Sequence, residues 1–283
     1  MGMRPVVLTI LDGWGYSEQK VGNAIENAKK PNFDFIKANY PGLLLQASGK
    51  AVGLTWGETG NSEVGHLTLG AGRIIFQYLS RINKAIENEE FYSNPAFLKA
   101  VNHARKNGGK FHIAGLLTAG SVHSYLNHVF ALVELANRNN LQDVKLHLFT
   151  DAKDSGPKEG LALLGKLNDF LKNYPNVKIA TVMGRDFAMD RNNNWNLTET
   201  AYNLMVNGKG ELTADTGKKL EELYATGLHD NRIPPLLIDE TGTIEDGDAL
   251  VFFNFREDSM RQTLRCFTDL DFEYFPRKTF NNL

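Results

Sequence analysis

The sequence predicts an α/β fold with parallel layers, and three observations carry that prediction. Six short apolar runs, at residues 5–11, 42–47, 110–117, 144–150, 177–183 and 249–253, have the length and composition of buried strands. Segments of helical periodicity lie between most of them, so strand and helix alternate at the pace of a parallel sheet. No internal repeat or low-complexity tract breaks the alternation. With 283 residues, 42% of them apolar, the chain is long enough for one large core or two.

The first run closes on Leu11-Asp12-Gly13-Trp14-Gly15, which puts Asp12 at the carboxyl end of a strand. Pro31 suits the first turn of a helix through residue 39. The second run leads into a glycine-rich stretch, residues 57–72, within which residues 63–69 suit a short helix. Helical patterns come next at 77–88 and 95–107, and the latter ends in the turn signal Asn107-Gly108-Gly109. Residues 124–139 set Val129, Leu132, Val133 and Ala136 on one face, and further helices are predicted at 159–174, 198–206 and 213–225.

Charge and composition narrow the partners. A formal net charge of −2 with scattered Lys and Arg gives no general attraction to nucleic acid or to an anionic membrane, so any anion site must be local. Neither nucleic acid nor membrane is expected as a partner. The single cysteine, Cys266, has no internal disulfide partner, which points to a reducing compartment and a packing role. The first apolar run is cut short by Asp12 without a small-residue cleavage site, and no run approaches the ~20 residues that span a bilayer. A cytoplasmic protein is expected.

Ser62 is the residue that most needs explaining. It lies in Gly60-Asn61-Ser62-Glu63-Val64-Gly65-His66, where it can cap the next helix or act as a nucleophile. The two roles are compatible, because a nucleophile at a helix start gains backbone donors for a phosphate. The spacing is Gly-x-Ser-x-x-Gly and not the Gly-x-Ser-x-Gly elbow of α/β-hydrolases, which argues against acyl transfer. Asp12 can cap a turn before Gly13 or bind a metal ion. Ligands of open α/β sheets gather outside the carboxyl ends of strands, so Asp12 and Ser62 are candidates for one metal-binding mouth. Their oxygens suit manganese or magnesium, and a bound cation would lower the hydroxyl's pKa. Glu63 and His66 read as structural.

Later strand ends are also rich in charge. Gly120-Ser121-Val122-His123-Ser124, Thr150-Asp151-Ala152-Lys153-Asp154, Gly184-Arg185-Asp186 through Arg191, and Asn254-Phe255-Arg256 each come after a predicted strand. Any one of these charged residues reads as solvated loop; four successive strand ends suggest convergence on an anionic ester. His128 lacks the spacing of a helical zinc site and reads as structural.

These motifs resemble the 2,3-bisphosphoglycerate-independent phosphoglycerate mutases. The likeness rests on Leu11-Asp12-Gly13-Trp14-Gly15, the Ser62 loop, Arg73, Arg81-Ile82-Asn83-Lys84-Ala85-Ile86 and Asn254-Phe255-Arg256, and so runs through nearly the whole chain. It implies an incomplete alkaline phosphatase-like parallel-sheet domain at residues 1–76, followed by an inserted α/β transferase domain at residues 77–283. It implies Ser62 as the catalytic residue that carries phosphate and Asp12 with Ser62 as metal ligands. His123, Lys153, Asp154, Arg185, Arg191 and Arg256 become the substrate-binding set.

The implied reaction interconverts 3-phosphoglycerate and 2-phosphoglycerate in glycolysis and gluconeogenesis, by a monomer with two divalent ions, Mn2+ or Mg2+, and without a 2,3-bisphosphoglycerate cofactor. Two departures from the family pattern stand out: Lys153 replaces a usual arginine, and Ser259 stands where the family has a second arginine. Arg261, two positions further along a helix, is expected to face elsewhere. Beyond His229 nothing resembles the family's later Asp/His metal motifs, so the sequence is expected to be incomplete and the isolated chain inactive. The alternatives are a related metal-dependent phosphohydrolase or phosphopentomutase, and a non-catalytic phosphoglycerate-binding module.

Overall fold

The computed structural model describes residues 5–283, and the chain divides into two units, Met1–Gln77 and Tyr78–Leu283. In the first unit the described helices are α1 (Ala24–Asn27), α2 (Pro31–Asn39) and α3 (Ser62–Ala71), with a 3-10 turn at Gly49–Val52. Pro31 occupies the first turn of α2, as its fixed φ favours. Val52, Leu54 and Val64 form a small buried cluster under α3.

Two expected elements of this unit are not formed. Neither 5–11 nor 42–47 is a strand, and their side chains stand in solvent, with Val6 95% and Leu43 79% exposed. A parallel strand has no local partner and exists only where a crossover brings a neighbour alongside. Among the described residues of the unit no such neighbour pairs with either run, so apolar composition alone did not make a strand.

The second unit begins with α4 (Tyr78–Glu87) and α5 (Pro95–Asn107). Asn94 caps α5 by accepting from the Ala96 N–H at 2.9 Å, and Gly108 ends it in the left-handed region at φ 63°. Next come β1 (Phe111–Leu117), α6 (Leu126–Arg138), β2 (Val144–Thr150), α7 (Gly160–Leu171) and β3 (Val177–Gly184). After a single turn, α8 (Arg185–Ala188), come α9 (Trp195–Asn207), β4 (Glu211–Leu212), α10 (Thr216–Ala225), β5 (Leu236–Leu237), β6 (Ala249–Phe252) and α11 (Arg261–Thr268). The helix expected from residue 124 starts at Leu126. The Ser124 hydroxyl is engaged instead with the Leu116 carbonyl, 2.6 Å away.

The six strands form one sheet in the order β4-β5-β3-β2-β1-β6. Its four longer strands are parallel, and only the β3–β5 pairing is antiparallel. Alternation along β1 sends Phe111, Ile113 and Leu117 into a core with α5, α6 and α7, and Ala114 and Leu116 into a second core with α9 and α11. Helices therefore cover both faces, as a parallel sheet requires. Chain order runs outward from β1 through β2 to β3 and then returns to β6 on the other side of β1, a topological switch at which such sheets bind ligands. Among the described residues no helix is long and apolar enough to cross a membrane.

Candidate functional site

Asp151, the residue after β2, is 1% exposed and organises the carboxyl ends of the strands. It accepts from the Thr118 hydroxyl at 2.5 Å, from Ser155 Oγ at 3.1 Å and from the backbone N–H groups of Lys153 and Asp154 at 3.2 Å, and it pairs with Arg185. Burial pushes its carboxyl up. The Thr118 hydrogen bond, Arg185 and the Asp154 N–H outweigh that and hold it below the ordinary carboxylate value. Between Asp151 and Lys153 the chain turns through Ala152 at φ 64°, a left-handed conformation that costs a non-glycine residue about 1 kcal/mol.

Asp154, delivered by that turn, takes two partners on one oxygen. His123 Nδ1 lies 2.6 Å from Asp154 Oδ2 and Arg185 Nη1 lies 3.1 Å from it. The loop after β1 that carries His123 can come this close because Gly120 has no side chain; a Cβ there would strike the backbone and side chain of Asp154. The loop after β6 is tied in through the backbone, since the Phe255 N–H donates to the His123 carbonyl at 2.9 Å.

His123, Lys153, Arg185, Arg191 and Ser259 line one cleft of about 400 Å³ together with Asp186 and Asp190. Lys153 Nζ lies 2.5 Å from Asp186 Oδ1. Arg191 Nη1 lies 2.6 Å from Asp258 Oδ2, and Arg256 Nε lies 3.1 Å from Asp258 Oδ1. Burial raises the Asp258 carboxyl, but the Arg256 charge, the Ser259 hydrogen bonds and Arg191 together bring it below its usual value. Asp190 fixes the loop that bears Arg191. It accepts from the backbone N–H of Asn192 and Asn194 and from Gln262 Nε2, which joins that loop to α11.

Ser62 and Asp12 belong to the other unit. Ser62 is the first residue of α3, and its expected capping role falls to Asn61, whose side chain accepts from the Val64 N–H at 3.0 Å. The reason is positional: the cap is the last non-helical residue, and Asn61 has extended dihedrals whereas Ser62 is already helical. The Ser62 side chain is exposed at a helix start whose first N–H groups have no intrahelical acceptors. His66 Nδ1 lies 2.7 Å from the Ser62 carbonyl oxygen, a structural bond within the helix. Gly60 is required beside it, since a Cβ would collide with the Ala47 carbonyl oxygen. Asp12 sits exposed in a turn before Gly13, which is left-handed at φ 83°.

Of the carboxylates that hold the site's basic residues, only Asp154 is among those the sequence predicts. Asp151, Asp186 and Asp190 lie within the same strand-end motifs and Asp258 just after one, each one or two residues from a predicted site residue. The signal was the repeated pairing of acid with base at each strand end. As expected, Arg261 is directed to another partner, Glu257, and buried Cys266 has its thiol pushed up to about 12 by desolvation.

Residues 82–283 match the profile of the family described as the BPG-independent PGAM N-terminus. A 2,3-bisphosphoglycerate-independent phosphoglycerate mutase of Clostridium perfringens is 45% identical over 282 residues, covering 98% of this chain and 55% of that protein. One from Methanosarcina barkeri is 44% identical over 281 residues, covering 97% and 54%. Among solved structures, phosphoglycerate mutase of Leishmania mexicana, determined at low cobalt concentration, superposes with a TM-score of 0.72 at 31% identity over 88% of this chain and 48% of that one. The chain thus spans about half the length of the curated relatives it matches. With a family profile over most of its length and such relatives over nearly all of it, this chain belongs to the family of 2,3-bisphosphoglycerate-independent phosphoglycerate mutases.

Proposed function

We propose that this chain supplies the phosphoglycerate-holding cleft and the phosphate-carrying serine of a mutase that interconverts 3-phosphoglycerate and 2-phosphoglycerate. The observation that supports the reading best is the cleft itself: His123, Lys153, Arg185 and Arg191 come from three strand ends to line one cavity of about 400 Å³. A phosphoglycerate carries a phosphate and a carboxylate, and planar guanidinium forks match both in a way that point charges do not. Lys153 adds charge without the fork.

The His123–Asp154 pair is suited to holding or moving a proton at the glycerate hydroxyls. With Nδ1–H donated to Asp154, the other ring nitrogen is left to serve a ligand. In the transfer proposed, Ser62 Oγ gives up its proton and forms a bond to phosphorus, the bond from phosphorus to the substrate oxygen breaks, and that oxygen takes up a proton, so that none is gained or lost overall. The reverse step then delivers the phosphoryl group to the other hydroxyl. A phosphate on Ser62 would lie at the positive end of α3.

The resemblance implies two divalent ions, manganese or magnesium. A hard cation takes about six ligands. Among the described residues no group of three or more His, Cys, Asp or Glu could hold one, and Asp12 with Ser62 alone does not fit such an ion. The first unit is proposed as part of a metal-binding, phosphatase-like domain and the second as the transferase domain. Glycolysis and gluconeogenesis in the cytoplasm, by a monomer, form the proposed setting.

Two measurements test this. Calorimetric titration of the 283-residue chain with 3-phosphoglycerate should show saturable binding that Arg185→Gln abolishes; preference for a pentose phosphate would favour a phosphopentomutase. In a protein of the relatives' full length, incubation with Mn2+ and 3-phosphoglycerate should leave phosphate on the Ser62 peptide, detected by mass spectrometry. A peptide free of phosphate, or a signal that persists in Ser62→Ala, would overturn the assignment of Ser62.

A further inference from the structure

The cations of the cleft are already engaged, as is Arg256, which shares a carboxylate with one of them. Lys153 is paired with Asp186, Arg185 with Asp151 and Asp154, and both Arg191 and Arg256 with Asp258. These carboxylates are not equivalent. Asp151 is buried behind Arg185, and Asp154 shares its oxygen with His123, so both are parts of the frame. Asp258 differs in place and in exposure. It adjoins Ser259, which lines the cleft, its side chain is 33% exposed, and it bridges two arginines that come from different loops, one after β3 and one after β6.

We propose that Asp258 is a built-in anion that occupies the Arg191–Arg256 pair when no ligand is bound, and that a ligand phosphate or carboxylate binds there by exchange with it. The inference rests on the reading of the cleft as a phosphoglycerate site and adds the residue that sets its anion affinity. The geometry supports exchange over a fixed scaffold. One carboxylate oxygen faces Arg191 and the other faces Arg256, so the two guanidinium groups grip it as they would grip an incoming anion. Both arginine side chains are about half exposed, at 56% and 48%, so neither is locked behind the pair. Oδ1 also accepts from the Ser259 N–H at 2.8 Å and lies 3.2 Å from the Ser259 hydroxyl, which holds the carboxylate in reach of both arginines. Ser259 itself is buried and lines the cleft.

The test separates charge from shape. Asp258→Asn keeps an oxygen that can accept from the Ser259 N–H but removes the competing charge, and Asp258→Ser removes the charge in a smaller side chain. Inorganic phosphate and 3-phosphoglycerate are titrated calorimetrically into wild type, both uncharged variants and Asp258→Glu. Exposed ion pairs are weak, so release of two of them should tighten phosphate about threefold to tenfold in the uncharged variants, with Asp258→Glu near wild type. Unchanged or weaker binding in the uncharged variants, with wild type still binding, would overturn the exchange while leaving the cleft assignment intact. Absence of binding in wild type and all variants would remove both.

Discussion

Arg185 is aimed by Asp151. The guanidinium sits in direct contact with a carboxylate that is 1% exposed, and a second acid, Asp154, takes the same nitrogen at 3.1 Å. The pair joins the end of β2 to the start of α8, so the direction of Arg185 is fixed by packed secondary structure and not by its own long side chain. Asp151→Asn should therefore act on both fold and site. Breaking this buried pair from one side leaves Arg185 with Asp154 as its one carboxylate and costs about 3 kcal/mol, measurable by urea unfolding. The Asp151 carboxyl is held below its ordinary value of 3.8, so its stabilisation is present above that pH and is lost as pH falls through the lowered folded value. The difference between wild type and variant should shrink below pH 3.8. A constant difference would show that the charge is not the source.

Replacing Arg185 by lysine tests the fork. Lysine keeps the charge but offers no planar pair of donors to span Asp151, Asp154 and a ligand. Affinity for 3-phosphoglycerate should fall roughly thirtyfold, or about 2 kcal/mol, in calorimetric titration of Arg185→Lys. Affinity within a factor of about two of wild type would mean that charge alone suffices.

The site was legible in the sequence to the extent that its charges come directly after strands. β1, β2 and β3 are apolar runs bounded by turn residues, and in a parallel sheet the loops leaving their carboxyl ends collect at one edge. The same rule failed for 5–11 and 42–47, because a strand is a relation between segments and composition describes only one of them. The sequence places a helix start at Ser62 but does not separate Ser62 from Asn61 as its cap, since Ser and Asn are nearly equal cap formers and only the dihedrals decide. The pairing of Asp258 with Arg256, two residues away, is local, but its pairing with Arg191 has no local pattern, as it joins the loop after β6 to the loop after β3.

Gln262 tests how firmly the Arg191 loop is held. Its Nε2 donates to Asp190 at 3.0 Å and to Thr198 at 2.6 Å, while its Oε1 accepts from the Asn193 N–H at 3.1 Å, all in a residue 6% exposed. Gln262→Leu removes all three bonds at similar side-chain size, so thermal unfolding should show a loss of about 1–3 kcal/mol. The loop bearing Arg191 should loosen with it, and phosphate affinity should fall together with stability. A destabilised variant with unchanged affinity would separate the loop from the site.

The opposite end of the sheet carries a buried polar chain with its own pH dependence. Asp248, just before β6, and His112, His147 and Thr181, on β1, β2 and β3, succeed one another with separations of 2.9 Å at each step. With both rings neutral every bond has a donor and an acceptor: Thr181 donates to His147, His147 to His112, and His112 to Asp248. A single added proton can be held by reversing the chain. A second would set His112 Nδ1–H against His147 Nε2–H. Burial lowers both histidines, against the raising effect of Asp248 and with the nearby charges of Lys110 and Lys145 adding to the lowering at His147. A lowered histidine binds its proton more readily unfolded, so stability is full above the ordinary value of 6.5 and declines as pH falls below it. From about pH 7.5 to 5, one histidine that refuses its proton costs about 2 kcal/mol. His128, lowered to about 4 by burial, adds a loss of the same sign. His147→Gln should therefore lose about 2 kcal/mol less than wild type across that range in urea unfolding. Parallel pH profiles would show that His147 takes up its proton in the folded sheet without penalty.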